Sequence, residues 1–226
     1  MQTDGARLSF RLPVAGASGR VLDDVRGDEV PLGVGVGRDG LLYVPDTAEP
    51  GAPVIVFLHG AGGSGRRELR VVLASADRYG VVVVAPDSRG QTWDIIEGGF
   101  GPDVEFIDRA LNSVADRLDV DLSRLALGGV SDGASYALSI GLSNGDVFPT
   151  VIAYSPGFIV VSDPVATPRV FISHGTKDPI LPIEGCGRRI AQGLDHAGYD
   201  LSYIEFDGGH TVPPPIADWG FAWWLT

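Results

Sequence analysis

Four short stretches of this 226-residue chain carry residue types able to do acyl-transfer chemistry. In "GVSDG", Ser131 stands between Gly129 and Gly133 in the spacing G-x-S-x-G, after an apolar run and before small helix-compatible residues. A sharp strand-to-helix turn at that point forces the serine into strained backbone geometry. It also lifts the hydroxyl to the top of a sheet beside a helix N-terminus. The pattern alone decides little, because a chain with 32 glycines produces it by chance and Ser131 reads equally well as turn filler. Three further stretches tip the balance. "FLHGAGGSG" (57–65) has the form of a loop whose N–H groups point into a site, "SHGTKDPILP" (173–182) holds Asp178, and "FDGGHTVPPP" (206–215) holds His210. Singly, Asp178 reads as a turn-forming carboxylate and His210 as an exposed loop histidine. Together, each just past a strand-like run, they make Ser131 a reagent.

The elements that must position these residues are legible as a strand–helix alternation from about residue 40 onward. "LLYVP" (41–45) and "PVIVFLHG" (53–60) read as adjacent strands joined by a turn. A helix is predicted over 66–80, with Leu69, Val72, Leu73 and Ala76 on one face and Gly80 as the stop. "VVVVAP" (81–86) lacks polar alternation, as a strand buried on both faces does. Then follow a helix over 103–118, the strand "RLALGG", a helix over 132–144, the strands "VFPTVIAYSP" and "PRVFISHG", a helix over 183–198, the strand "LSYIEFDG" and a Trp-rich C-terminal helix. Such alternation implies an α/β fold with a mostly parallel central sheet and helices on both faces, and ligands at the carboxyl ends of its strands. No linker or repeat divides residues 1–226, so one domain is expected. In the N-terminal segment 1–37, "RLSFRL" (7–12) alternates like an edge strand.

Bulk properties narrow the function classes. The net charge of −12 disfavours nucleic acid and anionic membrane surfaces as partners, since both would repel it. A single cysteine, Cys186, forms no intramolecular disulfide, and the N-terminus lacks a basic start followed by an apolar core, so the expected location is cytoplasmic.

With "HGAGG", "DSRGQTWD", "GVSDGASYAL", "SHGTKDPILP" and "GGHTVP" in place across 55–213, the sequence resembles the α/β-hydrolase serine esterases of the phospholipase/carboxylesterase type. It is similar to the small esterases grouped with polyhydroxybutyrate-depolymerase-like and acyl-thioesterase-like enzymes. The chain order Ser, Asp, His is also the order of that fold. The resemblance implies Ser131 as nucleophile, His210 as general base and Asp178 as its orienting acid, with oxyanion-hole N–H groups from Ala61 and Asp132. It implies neither metal nor cofactor. It also puts Trp93, in the loop after "VVVVAPDSRG", at the acyl or alcohol side of the cleft, against the general tendency of tryptophan to be core. Phe158, Ile180 and Leu181 are pocket candidates for their positions after strands. No insertion is long enough for a lipase lid; "SPGFIVVSDPVATPRV" (155–170) is the one candidate cap. The expected activity is therefore a carboxylesterase acting through an acyl-enzyme on small or short-acyl esters. A thioesterase or phospholipase-type acyl hydrolase is the alternative, and a peptidase or a non-catalytic binding protein of the same fold are more distant readings.

Other features are set aside. "GVGVGRDG" (33–40) precedes a strand instead of following one, so it is a turn-rich entry segment and not a dinucleotide loop. His59 is expected to orient the loop it begins, His174 to be a structural hydrogen-bonding group, His196 to lie at the surface and Cys186 to act as a small hydrophobe. Trp219, Trp223 and Trp224 are expected to cover the sheet. An apolar patch at "FAWWLT" would suit a dimer contact, so monomer and homodimer both stay open.

Overall fold

The computed structural model describes residues 5–11, 25–161 and 163–226. In chain order the elements are β1 (Glu29–Pro31), β2 (Gly40–Tyr43), β3 (Ala52–Leu58), α1 (Gly65–Tyr79), β4 (Val82–Pro86), α2 (Asp94–Glu97), α3 (Pro102–Arg117), β5 (Val120–Val130), α4 (Asp132–Ser143), β6 (Thr150–Tyr154), β7 (Arg169–Gly175), a π-helical turn (Glu184–Arg188), α5 (Arg189–His196), β8 (Leu201–Phe206) and α6 (Pro214–Leu225). The strands form one eight-stranded sheet in the order β1-β2-β4-β3-β5-β6-β7-β8. From β4 to β8 all neighbours are parallel, while β1 and β2 run antiparallel at one edge. The expected α/β architecture is the one observed, but β2 and β3 are not neighbours. Both edges of β3 are taken by the parallel strands β4 and β5, so β2 adds to the outer edge of β4 instead.

Residue alternation along β3 explains the two helical layers. Val54, Val56 and Leu58 point to one face, where α3, α4 and α5 contribute Phe106, Ile107, Leu111, Ile140 and Leu194. Ile55 and Phe57 point to the other, against Leu69 and Val72 of α1 and Phe221 and Trp224 of α6. Helix α1 begins where Ser64 Oγ accepts the Arg67 N–H and ends on Gly80 in the left-handed region at φ 64°. On α6, Trp224 is buried and Trp223 packs on Phe171, whereas Trp219 is 54% exposed and does not cover the sheet.

The N-terminal segment departs from expectation. Ala6, Leu8 and Phe10 are buried in alternation, yet residues 7–11 form no strand. They cross the helical layer instead: the Leu8 N–H donates to Asn144 Oδ1 after α4, and the Phe10 N–H to Asp108 Oδ1 on α3. Alternation recorded burial correctly, but the backbone partners are side chains. The edge strand of this region is β1; residues 1–4 and 12–24 lie outside the described residues.

Candidate active site

Ser131 occupies the turn between β5 and α4 with φ 57° and ψ −118°. Its N–H donates to Tyr154 O at the end of β6, and its carbonyl accepts the Ser135 N–H, so strand and helix hold the strained residue from both sides. The glycines of the motif answer to close approach. A Cβ on Gly133 would lie 2.3 Å from Leu58 O, and one on Gly129 would lie 2.6 Å from the Gly133 carbonyl. Only glycines let the turn nest against β3.

Asp178 follows β7 and His210 follows β8. Their loops are fastened together: Lys177 N–H donates to Gly208 O, and a Cβ on Gly175 would lie 2.3 Å from Gly209 O. That contact brings His210 Nδ1 to 2.6 Å from Asp178 Oδ2, while His210 Nε2 lies 2.9 Å from Ser131 Oγ. With a carboxylate at Nδ1, that nitrogen carries the proton and Nε2 accepts from the hydroxyl. The other carboxylate oxygen, Asp178 Oδ1, accepts the N–H groups of Ile180 and Leu181, both at 2.9 Å. Burial alone would raise the Asp178 pKa. The donors from Leu181, His210 and Ile180 outweigh it and hold the carboxyl below its ordinary value. His174 is buried behind this pair, its Nε2 2.8 Å from Leu181 O and 3.3 Å from Asp178 Oδ2.

An open cavity of about 450 Å³ lies over Ser131 and His210. Ala61 lines it, and Asp132 is the first residue of α4; no hydrogen bond among the described residues takes up either N–H. Ile180 lines it too. The sequence reading missed Arg67, Glu68 and Val71, which face the cavity from the first turns of α1, as well as Val130, Thr211 and Val212. Their signal was adjacency, since they directly follow the loop at Ala61 or flank Ser131 and His210. Burial pushes the Glu68 carboxyl up, partly offset by the Gly60 N–H.

Three pocket candidates lie elsewhere. Trp93 is fully buried: its Nε1–H donates to His59 O, and its ring stacks on Tyr136 with centroids 5.1 Å apart. It supports the loop at 57–65 from beneath and cannot touch a ligand in the cavity. Leu181 offers Asp178 its N–H and turns its side chain onto Gly157. Phe158 lines a separate cavity of about 320 Å³ with Ile190 and Leu194.

The candidate cap lies flat against α4. Ser135 Oγ and Ser139 Oγ, one and two turns beyond Ser131, accept the N–H groups of Gly157 and Val160. Val165 N–H donates to Leu142 O. Stapled along the helix, this strap leaves the cavity uncovered.

The sheet order, the crossover helices and the serine at the β5–α4 turn are those of the α/β-hydrolase fold. It is similar over 82% of its length to feruloyl esterase C of Emericella nidulans, with 25% identity and 83% of that protein covered. Feruloyl esterase B of Thermothelomyces thermophilus is 31% identical over 50% of this chain and 42% of its own. Among solved structures, esterase PE8 superposes with a TM-score of 0.67 at 21% identity, over 83% of this chain and 98% of that one. The Bacillus cereus carboxylesterase does so at 0.63 and 19%, over 81% and 92%, a likeness of fold. No family model matches the chain.

Proposed function

We propose that this chain is a serine carboxylesterase that hydrolyses small carboxylic esters through an acyl-enzyme. The observation that carries the reading is the chain of hydrogen bonds from Ser131 Oγ through His210 to Asp178, at 2.9 and 2.6 Å. In this mechanism His210 Nε2 takes the hydroxyl proton as Ser131 Oγ attacks the ester carbonyl. Asp178 holds the imidazole tautomer and stabilises the cation that forms. The N–H groups of Ala61 and Asp132 bind the developing oxyanion, and His210 then protonates the leaving alcohol. Water activated by the same histidine cleaves the acyl-enzyme and restores Ser131.

Substrate size follows from the cavity. Its volume lies toward the lower end of the ~300–1,000 Å³ common for small-molecule sites, and its apolar walls are Val71, Val130, Ile180 and Val212. Short acyl groups fit that space, and the relatives named feruloyl esterases make aromatic acyl esters the second class to try. The test is hydrolysis of p-nitrophenyl esters from acetate to palmitate, with methyl ferulate beside them, by wild type and Ser131→Ala. Short esters or the ferulate are cleaved by the wild type, palmitate is not, and the variant falls by about 10⁴ or more. An active Ser131→Ala protein would remove the serine from the mechanism. Cleavage of thioesters or amides in place of oxygen esters would overturn the bond assignment.

A further inference from the structure

The segment "GVGVGRDG", which the sequence reading left as an entry loop, ends inside the structure behind the site. The Asp39 carboxylate accepts the N–H groups of Gly33, Val34 and Gly35, at 2.8, 3.1 and 2.9 Å, and so closes the loop on itself. Arg38, beside it, is turned inward. Its Nε donates to Ser88 O after β4, and one terminal nitrogen donates to Gly63 O at 3.1 Å and lies 3.5 Å from His59 Nε2. Among the described residues no carboxylate forms an ion pair with Arg38. A half-buried cation is thus held by two carbonyl oxygens, with the His59 imidazole and the Ser88 hydroxyl each 3.5 Å away.

The imidazole is the informative partner. His59 is fully buried, and its Nε2 accepts the Ser88 N–H at 2.9 Å. A nitrogen that accepts carries no proton, so the proton of the neutral ring sits on Nδ1 and is donated to Gly60 O at 2.7 Å. Gly63 N–H donates to the same oxygen at 3.0 Å. The Gly60 carbonyl and the Ala61 N–H are opposite edges of one planar peptide, so pinning the oxygen toward His59 turns the N–H the other way. That peptide borders the nucleophile: a Cβ on Gly60 would lie 4.0 Å from Ser131 Oγ, and Ala61 lines the cavity.

We propose that Arg38 is a positioning residue for the oxyanion hole, locking His59 as the neutral Nδ1–H tautomer that aims the Ala61 N–H at the reacting carbonyl. This rests on the oxyanion role of Ala61 in the proposed esterase mechanism. The charged groups facing His59 divide: Asp87 and Asp132 favour a second proton on the ring, while Arg38 opposes it, and burial opposes it most. A second proton at Nε2 would confront the Ser88 N–H donor with donor, so the ring and the peptide it holds would shift together. Removing the guanidinium takes away both the charge that resists this proton and the tie to Gly63 O.

The experiment combines nitrogen-15 NMR of the histidine rings with steady-state kinetics on p-nitrophenyl acetate. In the wild type, His59 shows the neutral Nδ1–H pattern across the pH range of activity, and Arg38→Met raises the pH at which the ring takes a second proton. Arg38→Met lowers kcat by about 10-fold to 100-fold with KM changed by less than about 3-fold, and Arg38→Lys regains part of the loss. His59→Asn, whose amide nitrogen replaces Nδ1, keeps at least about 10-fold more kcat than His59→Gln, whose amide replaces Nε2. A merely space-filling role would favour the larger Gln. The proposal is overturned if the wild-type ring carries its proton on Nε2, if Arg38→Met retains kcat within about 2-fold, or if Gln replaces His59 better than Asn. The NMR pattern is read without turnover, so an active Ser131→Ala protein would sink the esterase mechanism while leaving the tautomer lock to its own result.

Discussion

His210 touches Ser131 and His59 braces the Gly60–Ala61 peptide beside it; each ring meets an oxygen at Nδ1, yet the groups around them differ in kind. At His210 the Nδ1 proton goes to the Asp178 carboxylate, the side chain is 19% exposed, and Nε2 meets the Ser131 hydroxyl. At His59 the Nδ1 proton goes to a backbone carbonyl, the ring is sealed in, and Nε2 is occupied by the Ser88 N–H with Arg38 alongside. A carboxylate beside the ring stabilises imidazolium as it forms, whereas a guanidinium beside it resists imidazolium. In the proposed mechanism one ring gains a proton during turnover and the other stays neutral. The residue type gives the capacity to titrate; the group at the far nitrogen decides its use.

The sharpest way to break this comparison is to delete each ring. His210→Ala is expected to cost about 10⁴ or more in kcat, and loss of the Nδ1 donor at His59 no more than about 10²–10³, as for a misplaced oxyanion donor. Equal losses in parallel kcat measurements would erase the distinction. Next comes Asp178→Asn, expected to lower kcat by about 10⁴ because an amide at that place no longer fixes the His210 tautomer. The same variant leaves the His59 NMR signals unmoved.

Smaller effects test the support beneath His59. Trp93→Phe keeps an aromatic ring on Tyr136 but removes the donor to His59 O. Chemical denaturation should show a loss of about 1 kcal/mol. The ratio of rates on acetate and butyrate esters stays as it was, since the indole does not reach the cavity. The smallest effect is a pH slope. Burial raises the Asp103 carboxyl from 3.8 to about 6, against the opposing N–H groups of Arg89 and Asp94. The folded state therefore binds this proton more tightly than the unfolded chain. The contribution is full below about pH 4 and fades as pH rises to about 6. Unfolding midpoints across that window should fall with pH on account of this group, and Asp103→Asn should flatten the trend.

Much of the site could be read in advance, because the residues announced themselves through position relative to strand ends. Ser131, Asp178 and His210 each follow a strand, and parallel strands deliver their carboxyl ends to one edge whatever their pairing order. The order itself was misread for β2, since runs near in sequence carry no label saying which edge of β3 is free. Trp93 was misplaced because position after a strand says that a loop reaches the active edge, not which side of the loop its side chain takes. The strap at 155–170 was recognised as short, but its docking needed Ser135 and Ser139 one helical turn apart on α4. Arg38 gave no sign at all, since its partners Gly63 and Ser88 are 25 and 50 residues away.

The sequence by itself thus determined the α/β class, the residue types of the site and their approach to one edge of a parallel sheet, because those follow from local periodicity and strand direction. Tertiary structure alone decided which groups meet the ring nitrogens of His59 and His210, where the cavity opens and which loop lies behind the Gly60–Ala61 peptide. Each of those depends on a hydrogen-bond partner brought from a distant part of the chain, and a hydrogen bond is decided by tenths of an ångström that no local pattern encodes.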